Sequence, residues 1–429
     1  LELHFFIFIF MRIVLIEFPW QVIEIINNKE TFKRDVIVSL NPESSYILKT
    51  NEISYFETYR ICNHKELWSK YKDIINRTIK ISKVLDEALW NQDKRFRDLN
   101  WKFFDDHHLP LKISFDHVEI LSRNSNKLIH IKEIKNLPIQ LKKKINKDLR
   151  IIAKRKRNFS GLNFKNLPKI MGVLNLTPDS FSDGGKYNKK NLGYNHALQL
   201  FKLGSNIIDV GGESVRPGSK EIKSKNEWNR IGLTLKRLKK KKIPVSLDSR
   251  KSLIMEKGIK LGVKLINDIS GLKFDNQSIK IIKKHNIPFV IHHIQGKPST
   301  MQKNPKYENV LLDIYDYFEE RIKYARFSGV KHNNIIIDPG IGFGKNLKHN
   351  ITLISKISLF HSLGFPILLG MSRKKFIKDV SGKNDSKHRL GGTIGSTLFA
   401  LMQGVQVLRV HEVNEIIQGI KIFKKLLNN

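Results

Sequence analysis

The polar ends of eight short apolar runs carry the chemistry of this sequence. In order they are Asn175, Asp209, Asp248, Asn267 with Asp268, His293, Asp338, Ser372 with Arg373 and Lys374, and Arg409 with His411. One acid at the end of a strand commonly caps the next helix. A polar residue at the end of every run exceeds what capping requires. Separated carboxylates plus an asparagine suit a heterocycle bearing several N–H donors and a carbonyl. Arg216, Lys374, Arg409 and His411, with the Asn175 amide, suit a multiply charged anion such as a diphosphate. Two stretches rich in small residues, "NLTPDSFSDGG" and "GGESVRPGS", are long enough to close over a substrate and exclude water.

Several familiar motifs fail on inspection. "PGIGFGKN" has Pro339 where a phosphate-binding P-loop needs its first glycine, and Asn346 where it needs Ser or Thr. "GGESVRPG" lacks the spacing of a dinucleotide fingerprint. His292 and His293 are adjacent on an expected strand, so they point to opposite faces and cannot share a metal. Of the two, His293 is the one expected at the site.

The elements that position these residues follow a rhythm. Apolar runs at 169–175, 206–212, 243–249, 263–270, 287–293, 334–340, 365–372 and 405–411 alternate with stretches of helical periodicity such as "VLLDIYDYFEERIKYARFSG". Strand-like and helix-like segments in alternation mean parallel βα units. Eight of them within residues 165–429 match an α/β fold of the (β/α)8 TIM barrel type. An open doubly wound sheet more often has fewer strands. In a barrel all eight polar ends converge on one face, where such folds keep their sites.

The chain has 429 residues and a formal net charge of +37. Its lysines are scattered among Ile and Asn, without the clustered footprint of a nucleic-acid binder, so nucleic acid is not the expected partner. An anionic substrate would still gain from the field. The single cysteine, Cys62, excludes a disulfide framework and fits a reducing cytoplasm. "LHFFIFIF" near the start is followed by no small-residue cleavage site and is interrupted by Arg12 and Glu17 before it could span a bilayer, so no membrane is expected. Met11 is a candidate initiator.

Residues 1–111 carry no chemical motif and form an N-terminal region of unknown function. Helical spacing is expected over 63–90, and strand alternation over 112–121. Residues 112–164 read as a short extension ending in a basic helix and linker at 141–159. Together the first 164 residues form an α+β extension of unknown fold ahead of the barrel at 165–429.

"MGVLNLTPDSFSDGG", "IIDVGGESVRPG", "LINDISG", "DPGIGFGKN", "GMSRKKFI" and "RVHEV" occur in an order and spacing that resemble dihydropteroate synthase, a pterin-binding TIM-barrel family, over about residues 165–429. The resemblance implies a homodimeric, magnesium-assisted transferase of folate biosynthesis. Such an enzyme joins 6-hydroxymethyl-7,8-dihydropterin diphosphate to 4-aminobenzoate and releases diphosphate. It implies that Asp248, Asn267, Asp338 and Lys374 hold the pterin. Asn175, Arg216, Arg409 and His411 would hold the diphosphate, with Asn175 also near Mg2+. Ser372, Arg216, Pro217, Phe343 and Lys374 would border the aminobenzoate. Asp248, Lys374 and Arg216 would be catalytic.

The sequence departs from the family pattern at Val215, where a threonine is usual, and at Ser249, which keeps a threonine's hydroxyl. A methyltetrahydrofolate-type methyltransferase barrel would share the pterin ligands but has no use for the diphosphate-binding set. Loss of Asp248 or Lys374 would favour a non-catalytic pterin- or nucleic-acid-binding protein, and both residues are present. A fused pterin pyrophosphokinase would show an Asp-x-Asp metal pair, and the first 164 residues show none; the adjacent acids of "FDDHH" fit an exposed loop.

Overall fold

A computed structural model describes residues 117–123, 125–153, 168–177 and 191–427, with the backbone of three short strands nearer the start. The helix expected at 63–90, the first part of the strand expected from 112, and the loop 178–190 lie outside the described residues. Two compact units are present, residues 1–99 with Asn429, and Asn100–Asn428. In the first unit, β1 (Gln21–Ile23), β2 (Val36–Ser39) and β3 (Ile47–Leu48) form an antiparallel meander.

The second unit begins with a hairpin, β4 (His117–Leu121) and β5 (Asn126–His130), followed by helix α1 (Ile139–Ala153). Ile129, Ile134, Ile145 and Leu149 bury one another in a small core of their own. Leu121 packs on the main core and Ile151 lies against Gly364, and two polar clasps join this extension to the remainder of the unit. Glu119 pairs with Lys356 at 2.7 Å, and Arg123 reaches Asp313 and Asp316 at 2.7 and 2.6 Å.

Eight parallel strands come next among the described residues: β6 (Lys169–Asn175), β7 (Ile207–Gly211), β8 (Val245–Asp248), β9 (Leu265–Asp268), β10 (Phe289–His292), β11 (Ile335–Asp338), β12 (Leu368–Gly370) and β13 (Val407–Val410). Their order is β11-β10-β9-β8-β7-β6-β13-β12, and a parallel bridge between Ile337 and Ile367 closes the ring. Nine helices accompany them among the same residues: α2 (Leu192–Lys202), α3 (Ser224–Lys240), α4 (Ser252–Lys260), α5 (Ser278–His285), α6 (Val310–Phe327), α7 (Leu347–Ser355), α8 (Lys375–Ser381), α9 (Leu390–Met402) and α10 (Val413–Leu427). The strands read as near-continuous apolar runs because both faces are covered. Side-chain oxygens start two of the helices: Asn309 accepts from Leu311 and Leu312, and Asn346 accepts from His349.

Strand alternation divides the apolar residues into two sets. The outward set packs under the helices in one large core. The inward set is a ring of Met171, Ile207, Leu265, Val290, Ile336, Leu368 and Val407, one from each of seven strands. β8 supplies Ser246 opposite Leu265 instead. Filling that ring makes the barrel a packed core rather than a pore.

Leu265→Ala is therefore expected to cost about 2–5 kcal/mol, because it leaves a cavity at the barrel axis. Leu253→Ala, on the exposed side of α4, is expected to cost no more than about 0.5 kcal/mol. Denaturant unfolding of the two variants beside the parent chain checks the difference.

Candidate active site

Two residues beyond each member of the apolar ring, the same alternation returns a side chain to the barrel interior. These positions are Val173, Asp209, Asp248 (above Ser246), Asn267, His292, Asp338, Gly370 and Arg409. An apolar floor thus carries a polar layer one step nearer the C-terminal edges of the strands. A further step along gives Asn175, Ser372 and His411 at the mouth.

Arg409 organises the layer. Its Nε donates to Asp209 at 2.7 Å and its Nη2 to Asp248 at 3.0 Å. Asp209 is fully buried, and the same oxygen accepts from Asn267 Nδ2 at 3.0 Å. This fixes the Asn267 amide with its oxygen turned away from Asp209, as a buried acceptor with no protein partner. Asp338 accepts from the Gly340 N–H at 2.8 Å and lies 3.9 Å from His292 Nε2.

Lys374 follows β12 and sets its ammonium 4.0 Å above the ring of Phe343. Phe343 in turn meets His292 edge to face at 4.6 Å. The glycines of "DPGIGFGK" have a steric reason to be there. Gly340 has φ +69°, and a Cβ there would lie 2.0 Å from the His293 carbonyl. Lys345, buried behind this loop, donates to the Phe343 carbonyl at 2.9 Å and contacts His293 Nδ1 at 2.9 Å.

His293 therefore lies on the helix side of β10, against Tyr317 at 4.7 Å, and not in the site. The histidine at the site is His292. The reason is parity: His292 lies two residues past Val290 of the inward ring, and His293 lies three. Asp268 also faces outward, where it accepts from the Ser270 and Leu272 N–H groups and shapes the turn after β9.

At the mouth, Ser372 donates to Glu412 at 3.0 Å and lies 2.8 Å from His411 Nδ1. With its one proton given to Glu412, Ser372 accepts from Nδ1–H, which leaves His411 Nε2 unprotonated in the neutral ring. Arg373 closes this cluster by pairing with Glu412. Arg216 and Pro217 sit on the loop between β7 and α3, with Val215 beside them. Asn175 ends β6 beside Gly211.

Burial dominates the electrostatics. Burial, and then the neighbouring Asp209, push the Asp248 carboxyl up to about 8, despite the opposing pull of Arg409. Burial raises Asp338 to about 6. Burial and repulsion from Arg409 bring Lys374 down to about 8. His292 and His411 are held neutral, chiefly by burial and nearby cations. The layer is thus poised to exchange protons with a ligand near neutral pH.

Of the residues singled out in the sequence, Asp248, Asn267, Asp338 and Arg409 share the polar layer, and Lys374, Phe343, Ser372 and His411 rim it. Asp209 appeared in the sequence only as one more strand-end acid; its bond to Arg409 spans 200 residues. Counting two residues on from the apolar ring would have found both it and His292.

Asp248 and Asp338 keep protons in the folded chain that the unfolded chain loses near its ordinary value of 3.8. Stability of the ligand-free protein is therefore expected to fall as pH rises from about 4 to about 8. Asp248→Asn should flatten that fall, as read by Tm across the interval.

Comparison with known proteins identifies the setting. A family model described as "Pterin binding enzyme" matches residues 171–411. Dihydropteroate synthase of Escherichia coli K12 is 36% identical over 262 residues, covering 61% of this chain and 92% of its own. That of Neisseria meningitidis serogroup B is 38% identical, covering 60% and 93%. Among solved structures, Yersinia pestis dihydropteroate synthase with a sulfonamide drug superposes with a TM-score of 0.58 at 35% identity, covering 60% of this chain and 93% of its own. The Xanthomonas albilineans enzyme with 4-aminobenzoic acid gives 0.56 at 31%, with 60% and 93% covered. The chain belongs to the pterin-binding enzyme family, and the relatives it groups with there are dihydropteroate synthases.

Proposed function

We propose that the barrel joins 6-hydroxymethyl-7,8-dihydropterin diphosphate to 4-aminobenzoate, releasing diphosphate and 7,8-dihydropteroate. The observation that carries this is the buried polar layer, acidic at its base and rimmed by cations. The Asn267 oxygen and the carboxylates of Asp248 and Asp338 suit the N–H groups of a pterin, and Lys374 suits its carbonyl. Arg409, His411, Arg216 and the Asn175 amide suit the diphosphate, whose charge would draw a proton onto His411 Nε2. Ser372, Phe343, Pro217, Arg216 and Lys374 border the remaining space, which we assign to the aminobenzoate.

The reaction breaks the bond between the pterin methylene carbon and the diphosphate oxygen, and both electrons leave with diphosphate. Positive charge then develops on the pterin, and ionised Asp248 is a fixed anion within reach of it. The aminobenzoate nitrogen forms the new bond to that carbon and loses a proton. Lys374 and Arg216 hold the two partners in line, and the closed site excludes water as a competing nucleophile.

Among the described residues no group of three His, Cys, Asp or Glu side chains could hold a metal by itself. That fits Mg2+ carried on a diphosphate, since this ion takes most of its ligands from phosphate and water and needs little beyond the Asn175 oxygen. When bound, it would neutralise charge on the departing diphosphate.

We assign catalysis to residues 165–429, an accessory packing role to 112–164, and no chemical step to 1–111. Family membership supports a homodimer, and the single cysteine fits a reducing cytoplasm. Among the described residues no helix is long and apolar enough to cross a membrane.

With pterin diphosphate and magnesium, diphosphate release is expected to depend on added 4-aminobenzoate. Asp248→Ala and Lys374→Ala should each lower kcat by roughly 100-fold or more. Arg409→Ala should chiefly raise KM for the pterin diphosphate. Wild-type turnover in the Asp248 variant would overturn the assignment.

A further inference from the structure

The loop between β7 and α3 carries Arg216 and Pro217, and both of its ends meet at one carboxylate. Glu213, near the start, accepts from the Ile222 N–H, near the end, at 3.0 Å. The same carboxylate accepts from Arg250 Nε at 3.0 Å and from Lys251 Nζ at 2.9 Å. Lys251 also donates to Glu227 at 2.8 Å, on the helix that follows the loop. This cluster is buried: the side chains of Glu213, Lys251 and Glu227 are 4%, 7% and 0% exposed. Arg250 lies 3.9 Å over the ring of Phe274, which ties in the loop after β9.

The two buried carboxylates, Glu213 and Glu227, are balanced by Arg250 and Lys251, so they can sit away from water, while the exposed Glu221 reaches Arg250 at 3.8 Å from outside. Arg250 and Lys251 follow Asp248 by two and three residues in the chain. The cluster therefore joins the loop bearing Arg216 to the strand bearing Asp248.

We infer that Glu213 is a positioning residue: it staples the loop into a closed arch and sets Arg216 and Pro217 against the aminobenzoate side of the site. This rests on the assignment of that side under the proposed function. If the loop shifts, the pterin diphosphate loses Arg216 but keeps Asp248, Asn267, Asp338 and Arg409, whereas the aminobenzoate side loses both Arg216 and Pro217, so Glu213 bears on the second substrate more than the first.

Glu213→Gln in the full chain tests it. The amide keeps an acceptor for Ile222 but brings N–H groups against Arg250 and Lys251. KM for 4-aminobenzoate is expected to rise about tenfold, with a smaller rise in KM for the pterin diphosphate and a smaller fall in kcat, each about threefold, through the shift of Arg216. Glu213→Asp, which keeps the charge but is one methylene short, should fall between. Independently of substrates, trypsin should cut faster after the exposed Lys220 and Lys223 in the Gln variant, read by mass spectrometry. Equal cleavage rates overturn the staple. Faster cleavage, or a lowered Tm, with both KM values unchanged overturns its role in binding. A wild-type chain that releases no diphosphate overturns the assignment of the site, and the trypsin comparison still decides on the staple.

Discussion

Arg409 between Asp209 and Asp248 is the contact on which the interior of this barrel depends. Two carboxylates in a dry, packed space repel each other, and either one left alone would cost several kcal/mol. A guanidinium lying across both makes the arrangement tolerable, because its donors diverge in a fixed fork. Asp209, held in this way, keeps the Asn267 amide in one orientation. Asp248 is left with divided allegiance, attracted by Arg409 and repelled by Asp209. It therefore keeps its proton to about pH 8 in the ligand-free chain, and positive charge developing beside it favours the ionised form.

The barrel's outline was legible because parallel strands covered on both faces read as apolar runs. The eight runs found in the sequence each contain one of the eight barrel strands. Asp248, Asn267, Asp338 and Arg409 were legible for a related reason: a charged residue inside an apolar run has few structural explanations. Partnerships were not legible. Nothing local joins Arg409 to Asp209, or Glu213 to Lys251, because the ring closure that brings them together is a property of the whole sheet. His293 shows the limit of counting to the end of a run. The apolar stretch ends at both histidines, and only alternation from Val290 tells which one turns inward.

The net charge of +37 proved a poor guide to the centre of the molecule. The base of the polar layer is acidic, whereas lysines such as Lys225, Lys236, Lys239 and Lys240 of α3 stand exposed on an outer helix face. Composition describes the solvent-facing shell, while the chemistry rests on a handful of positions that it averages away. The glycine-rich loop after β11 teaches a similar lesson. It resembles a phosphate cradle in composition, yet Gly340 and Gly344 serve close backbone passage beside His293 and Gln295, and Lys345 is buried against His293, where it braces the Phe343 carbonyl.

The clasp of Arg123 on Asp313 joins residues 190 positions apart. On a ribosome adding about 5–20 residues per second, the hairpin emerges on the order of ten to forty seconds before its anchor on α6 exists. During that wait the hairpin and α1 can bury Ile129, Ile134, Ile145 and Leu149 against one another. The polar clasp, with Leu121 and Ile151 beside it, then docks a finished piece. A segment with its own core can be made early and joined late, leaving only a small apolar face, Leu121 and Ile151, to wait beside the charged groups for its seat.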